Sequence, residues 1–271
     1  MENVLINLMT IKTHIMVLAD RAGLALWDNR HLRTVSLGGT TMFARCILSM
    51  TGVLLGVSLS SQALAVQFDS NVPLAIQTQM NADLGFMNSL EGQYKTAFHQ
   101  QIFGAFGGNS YKKFFESHIL EVGLDGCGLG NAVACVKPWA GKKMFLTNNF
   151  IKFSHPQIAR MMVVYHEARH TEIENGSWAH DTCPTPFVND DGSEKRSIWT
   201  GASLAGQEAC DSTALGSYGS STILLKNVAL FCTNCTDKVK MDADLYATDQ
   251  LGRIDEPAVK KAMLADFNGK Q

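Results

Sequence analysis

The sequence predicts an α+β fold, a mainly helical single domain with a small sheet, stabilised by disulfides. Three observations predict it. Hydrophobic residues make up 46% of the 271 positions and charged residues 18%, which supplies a core and leaves too little charge for a disordered chain. Beyond residue 65 most of the chain carries helical spacing, and only residues 143–147 read as a strand. Six of the 7 cysteines also fall beyond residue 65, an even number that suggests pairing. A net charge of −2 argues against a dedicated nucleic-acid partner, because phosphate neutralisation requires a basic excess.

Residues 42–65 read as a secretory signal peptide. Arg45 precedes an apolar stretch centred on residues 53–57, and Ala63-Leu64-Ala65 supplies a small-x-small cleavage site. Ser and Gly interrupt the stretch, which falls short of the ~20 apolar residues a membrane span needs. Residues 1–41 sit badly before such a signal and read as a start-site artefact or leader, with Met42 as a natural initiator. The mature chain is then 66–271, secreted or periplasmic, with no membrane association after cleavage. An oxidising compartment favours disulfides. Sequence proximity suggests Cys127–Cys135 and Cys232–Cys235, which leaves Cys183–Cys210. Cys232-Thr-Asn-Cys235 also has the spacing of a redox or metal pair.

The elements follow in order. Residues 73–103 are helix-compatible, with Leu84, Met87, Leu90 and Phe98 as apolar positions. Residues 104–109 form a glycine-rich break, which lacks the Lys-Ser/Thr of a phosphate loop. Residues 111–120 suggest a second helix, followed by Gly- and Cys-rich turns to Cys135. The strand at 143–147 is bounded by Gly141 and Asn148-Asn149. Ser154 with Gln157 forms a capping-box pattern with Pro156 in the first turn, and Ile158, Met161, Met162, Val164 and Tyr165 follow on a buried helix. Gly176 marks a stop. After a polar loop through Pro184 and Pro186, a further helix spans 204–231. The tail from Lys238 is a charged surface helix and then a loose end.

The buried helix contains His166-Glu167-Ala168-Arg169-His170. Residues four apart on an α-helix lie one turn above each other, so both imidazoles point to one side. Two neutral imidazoles suit Zn²⁺. Glu167 is offset by one position and reaches a water at the metal without ligating, as a general base.

From residue 142 to 219, and most closely from 147 to 170, the chain resembles the zincin metallopeptidases. The resemblance implies a zincin-like active-site helix and an edge strand before it that binds extended peptide, a place that residues 143–147 occupy. The third metal ligand is left open. Ile173 and Gly176 stand where a metzincin carries Gly and His, which excludes that subclass. Glu208 and Asp211 fall in the region of the gluzincin downstream helix, though three rather than four residues apart. Gly206, Asp211 and Tyr218-Gly219 resemble an aspzincin segment, with longer spacing and no Thr after Gly206.

On a helix, Asp211 and Glu208 share a face, so that one ligates while the other orients a histidine. Tyr218 falls on the same face as a transition-state donor. His180, ten residues beyond His170 and past Gly176, competes for the ligand position; Asp181 would support it and Trp178 would wall the cleft. A Cys183–Cys210 bridge would gather all of these together.

The expectation is a secreted zinc peptidase acting on a peptide or protein substrate, with residues 66–271 as its domain. The alternative is a non-catalytic envelope binding protein stabilised by zinc, recognisable by four protein ligands.

Overall fold

The sheet is assembled from segments too short to carry periodicity of their own. In the computed structural model, which describes residues 66–128 and 130–269, β1 (Gln67–Phe68), β2 (Glu121–Leu124), β3 (Ala134–Val136) and β4 (Lys143–Leu146) pair in the order β1-β2-β4-β3. The leader and signal peptide expected at 1–65 lie outside these residues. β1, β2 and β4 run parallel, and β3 returns antiparallel to β4. The strand expected at 143–147 is therefore present but is not an edge, because β2 and β3 flank it. The edge is β3. A 3-10 turn at Pro138–Ala140 and Gly141 at φ 63 fold the chain back between β3 and β4.

Among the described residues there are eight α-helices. The helix expected across 73–103 is two, α1 (Leu74–Asn88) and α2 (Ala97–Phe103), because Thr96 caps α2 by accepting from the His99 N–H. The second expected helix is α3 (Gly108–His118), and a single turn, α4 (Asn148–Ile151), follows β4. α5 (Gln157–Arg169) carries both histidines of the motif, the second as its C-cap. The capping box is not formed. Pro156 is the N-cap, and Gln157 instead donates to the buried Asp83 carboxylate of α1 (2.9 Å).

α5 is buried from Ile158 to Arg169 and packs against α1, α3 and β3. Each of its large apolar side chains, such as Met161 and Tyr165, contributes roughly 1.5–3 kcal/mol by burial. The helix also ends seven residues before Gly176. The chain leaves it through a kinked 3-10 segment, Ile173–Trp178, in which Gly176, Ser177 and Trp178 take φ values of 68, 57 and 45. That left-handed run reverses the chain.

The helix expected from 204 is a correction of larger scale. Residues 208–210 are a strand, β6 (Glu208–Cys210), paired antiparallel with β5 (Asp181–Thr182) and bridged to its loop by Cys183–Cys210. Helix resumes only at α6 (Ser217–Phe231), after Gly206 at φ 69 and Gly216 have turned the chain. The tail is not loose. α7 (Asp237–Leu251) and α8 (Pro257–Phe267) bury Tyr246, Ala247, Met263 and Phe267. The other cysteine pairs, Cys127–Cys135 and Cys232–Cys235, are at disulfide distance, as their spacing suggests. Such pairing fits an oxidising compartment. Among the described residues no helix is long and apolar enough to cross a membrane.

Candidate metal centre

α5 delivers His166 and His170 one turn apart, and the reversed chain brings His180 over them from the other side of the left-handed run. The three Nε2 atoms form a triangle with sides of 3.3 Å (His166–His170), 3.2 Å (His166–His180) and 3.1 Å (His170–His180). A tetrahedral ion held at about 2.0–2.1 Å from each nitrogen needs nitrogens about 3.3 Å apart. The cluster could hold a metal ion.

The opposite edges of the rings decide what that triangle is. His170 Nδ1 donates to the Ser177 carbonyl (2.8 Å), and His180 Nδ1 to Asp211 Oδ1 (2.8 Å). The Ser217 carbonyl at the start of α6 acts on His166 in the direction that favours a proton on the ring. A carbonyl or carboxylate only accepts, so Nδ1 of His170 and of His180 keeps its proton and their Nε2 atoms present lone pairs. These two lone pairs then face one another 3.1 Å apart with no hydrogen of their own between them. They repel unless a cation sits among them. Burial together with the neighbouring rings holds His166 well below the ordinary histidine value, and burial holds His170 at about 4. Neutral imidazole is the ligand form.

Glu167, the residue after His166, is buried on α5. Burial pushes its pKa up to about 8, against a smaller lowering by the main chain of Val136 on β3. A carboxyl poised near neutrality suits a general base. A bound dication beside it favours the ionised form and lowers that value.

Asp211 is buried and fully engaged. Its Oδ1 accepts from His180 Nδ1, its Oδ2 accepts from the Tyr218 N–H (2.7 Å), and its own N–H donates to the Arg253 carbonyl (3.0 Å). It therefore orients a ring rather than joining the cluster, a familiar arrangement around metal-ligating histidines. Gly216 makes this possible, because a Cβ there would lie 2.5 Å from Asp211 Oδ2. Glu208 stands exposed on β6 and is not among the converging groups. The expected helix through 208–218 would have brought both acids to one face, and its absence separates them. Asp181 is likewise exposed on β5; Asp211 takes the supporting place expected of it.

Compared with protein-family models, curated proteins and solved structures, the chain matches none of them.

Tyr218, the second residue of α6, stacks on the His180 ring at 4.5 Å between centroids and meets His166 edge-on at 4.6 Å. Its hydroxyl accepts from Arg253 Nη1 (3.0 Å). Beneath the histidines, Arg169 ties the end of α5 to the Leu215 carbonyl, and Glu172 accepts from Arg169, His118, Asn175 and Trp178. Burial would raise the Glu172 carboxyl, but the His118 and Trp178 hydrogen bonds and the Arg169 charge outweigh it and hold it at about 2. Trp178 thereby braces the reversal instead of standing free as a cleft wall. Arg253, Glu172, Val136 and Gly216 carry no local sequence signal. Each is defined by a partner that tertiary packing supplies.

Proposed function

We propose that this protein is a zinc-dependent peptidase of the zincin type, secreted or periplasmic, in which His166, His170 and His180 hold the metal. The observation that carries the reading is the convergence of three Nε2 atoms, two of them with lone pairs fixed by an acceptor on the far side of the ring. Three protein ligands are the number found at catalytic zinc sites, whereas structural sites close with four. When bound, zinc supplies Lewis acidity that polarises a peptide carbonyl and acidifies water.

The chain's own groups do the rest. Glu167 accepts the proton of the attacking water and returns it to the departing amine. Tyr218 donates a hydrogen bond to the carbonyl oxygen as it gains charge. Asp211 and the Ser177 carbonyl keep the His180 and His170 imidazoles aimed.

Elemental analysis of the purified protein tests the centre. About one zinc per chain is expected, and His166→Ala should lose it. Glu167→Gln should retain zinc while losing hydrolysis of a labelled unfolded protein by about 10²–10⁴-fold. No bound zinc in a folded wild type would sink the reading, as would undiminished turnover in Glu167→Gln.

A further inference from the structure

Arg253 lies 35 residues beyond Tyr218, in the turn between α7 and α8, yet its guanidinium is folded into the centre. It is only 6% exposed. Its nearest carboxylate, Asp249, stands 3.5 Å from Nε, and Nε makes no hydrogen bond among the described residues. A buried cation paired this loosely is expensive to keep. What it does contact is Tyr218: Nη1 donates to the phenol oxygen at 3.0 Å, and the guanidinium carbon lies 4.8 Å from the ring centroid.

The direction of that hydrogen bond matters. Arginine has five donors and no acceptor. The Tyr218 oxygen therefore spends a lone pair on Arg253 and cannot give Arg253 its proton. Among the described residues no acceptor lies within hydrogen-bond reach of that hydroxyl, so its proton is left for a group that arrives. The phenol ring is fixed against His166 and His180, and its hydroxyl lies within the field of Glu167. An oxygen placed over the histidine cluster is such a group. A fixed donor backed by a positive charge is what stabilises an oxyanion. The main chain of the same residue completes the unit, since the Arg253 carbonyl accepts from Asp211, the acid that orients His180.

We propose that Arg253 is a positioning residue for the hydrolysis: it fixes the Tyr218 hydroxyl as a donor and lends its charge, through Tyr218, to the oxygen of the tetrahedral intermediate. This rests on the peptidase reading above. Because Arg253 acts through Tyr218, the two must not act independently.

The test is a double-mutant cycle on the zinc-loaded protein, with Tyr218→Phe, Arg253→Met and the double variant assayed on a fluorogenic peptide. Tyr218→Phe should lower kcat by about 10²–10³-fold with KM within about twofold. Arg253→Met should lower kcat by about 10-fold or more, and the double variant should be no slower than Tyr218→Phe alone. Zinc content should be that of the wild type throughout. A second readout needs no turnover. The tyrosine Fermi doublet in the Raman difference between wild type and Tyr218→Phe should show an accepting hydroxyl, and that signature should vanish in Arg253→Met.

If Arg253→Met fails to fold, Arg253→Lys takes its place in the same cycle, with a smaller single loss and again no further loss on the Tyr218→Phe background. Multiplicative losses, an unchanged kcat in the Arg253 variant, or an unaltered doublet would each overturn the role while the peptidase reading stands. A zinc-loaded wild type that cleaves no peptide would overturn both.

Discussion

His180 owes its place to two residues that never touch the metal position. Asp211 Oδ1 accepts from its Nδ1 at 2.8 Å, and Gly216 leaves room for Asp211 Oδ2, which a Cβ would approach to 2.5 Å. Asp211→Asn keeps a side-chain oxygen for the Tyr218 N–H but loses the charge that fixes the ring. It should weaken zinc binding by about 10–100-fold, the range typical of partners behind a ligating histidine. Gly216→Ala should do the same without altering any polar group, by displacing the carboxylate. Competition against a chelator of known affinity measures both. Wild-type affinity in Gly216→Ala would show that the Asp211 carboxylate tolerates displacement, and the account of His180 orientation would fail there.

The same dependence on distant partners governs the helix that carries the motif. α5 is anchored to α1 by a buried pair in which Arg160 Nε and Nη2 reach the two oxygens of Asp83, each at 2.6 Å, while Gln79 and Gln157 also donate to Asp83. Asp83→Ala leaves an uncompensated guanidinium inside the protein and should destabilise it by about 3–5 kcal/mol in urea denaturation. The double variant Asp83→Leu/Arg160→Met should recover most of that loss; a double variant as unstable as the single would refute the pairing argument. Elements of this kind divide by how local their causes are. α5 was legible because His166, His170 and the apolar positions between Ile158 and Tyr165 repeat at helical spacing, and β4 because Gly141 and Asn148-Asn149 bracket it. β3 was not, since three residues show no period and their strand state comes from pairing with β4. Residues 208–216 read as helix by composition, but the Cys183–Cys210 link and the pairing with β5 extend them. Hence Asp211, expected as a ligand on a helix, stands behind His180 at the end of a strand, and His180, expected as its competitor past the break at Gly176, lies in the cluster. Arg253 could not be foreseen, because nothing near it in sequence distinguishes it from a surface arginine.

At the scale of the whole molecule, burial of neutral histidine links the fold to pH independently of the metal. His99 is fully buried on α2, with Nε2 at 2.9 Å from the Tyr111 hydroxyl and its ring against Phe103 and Phe106. Burial holds its pKa at about 4, against 6.5 for an exposed histidine. Above pH 6.5 neither the folded nor the unfolded chain binds a proton there, and the full stability is present. As pH falls from 6.5 toward 4, the unfolded chain takes up a proton that the folded chain refuses, so stability drains away across that window and levels off below it. For a depression of this size the loss is on the order of 3 kcal/mol. His99→Gln keeps a polar contact for Tyr111 and removes the titrating group. Denaturation of the metal-free protein at a series of pH values should therefore show a shallower slope between pH 6.5 and 4 in His99→Gln, by about one proton. The comparison is made without metal because zinc binding adds its own pH-dependent stability through His166, His170 and His180. Equal slopes in the two proteins would mean that His99 is protonated inside the fold, and the packing of α2 against α3 would then have to accommodate a charge.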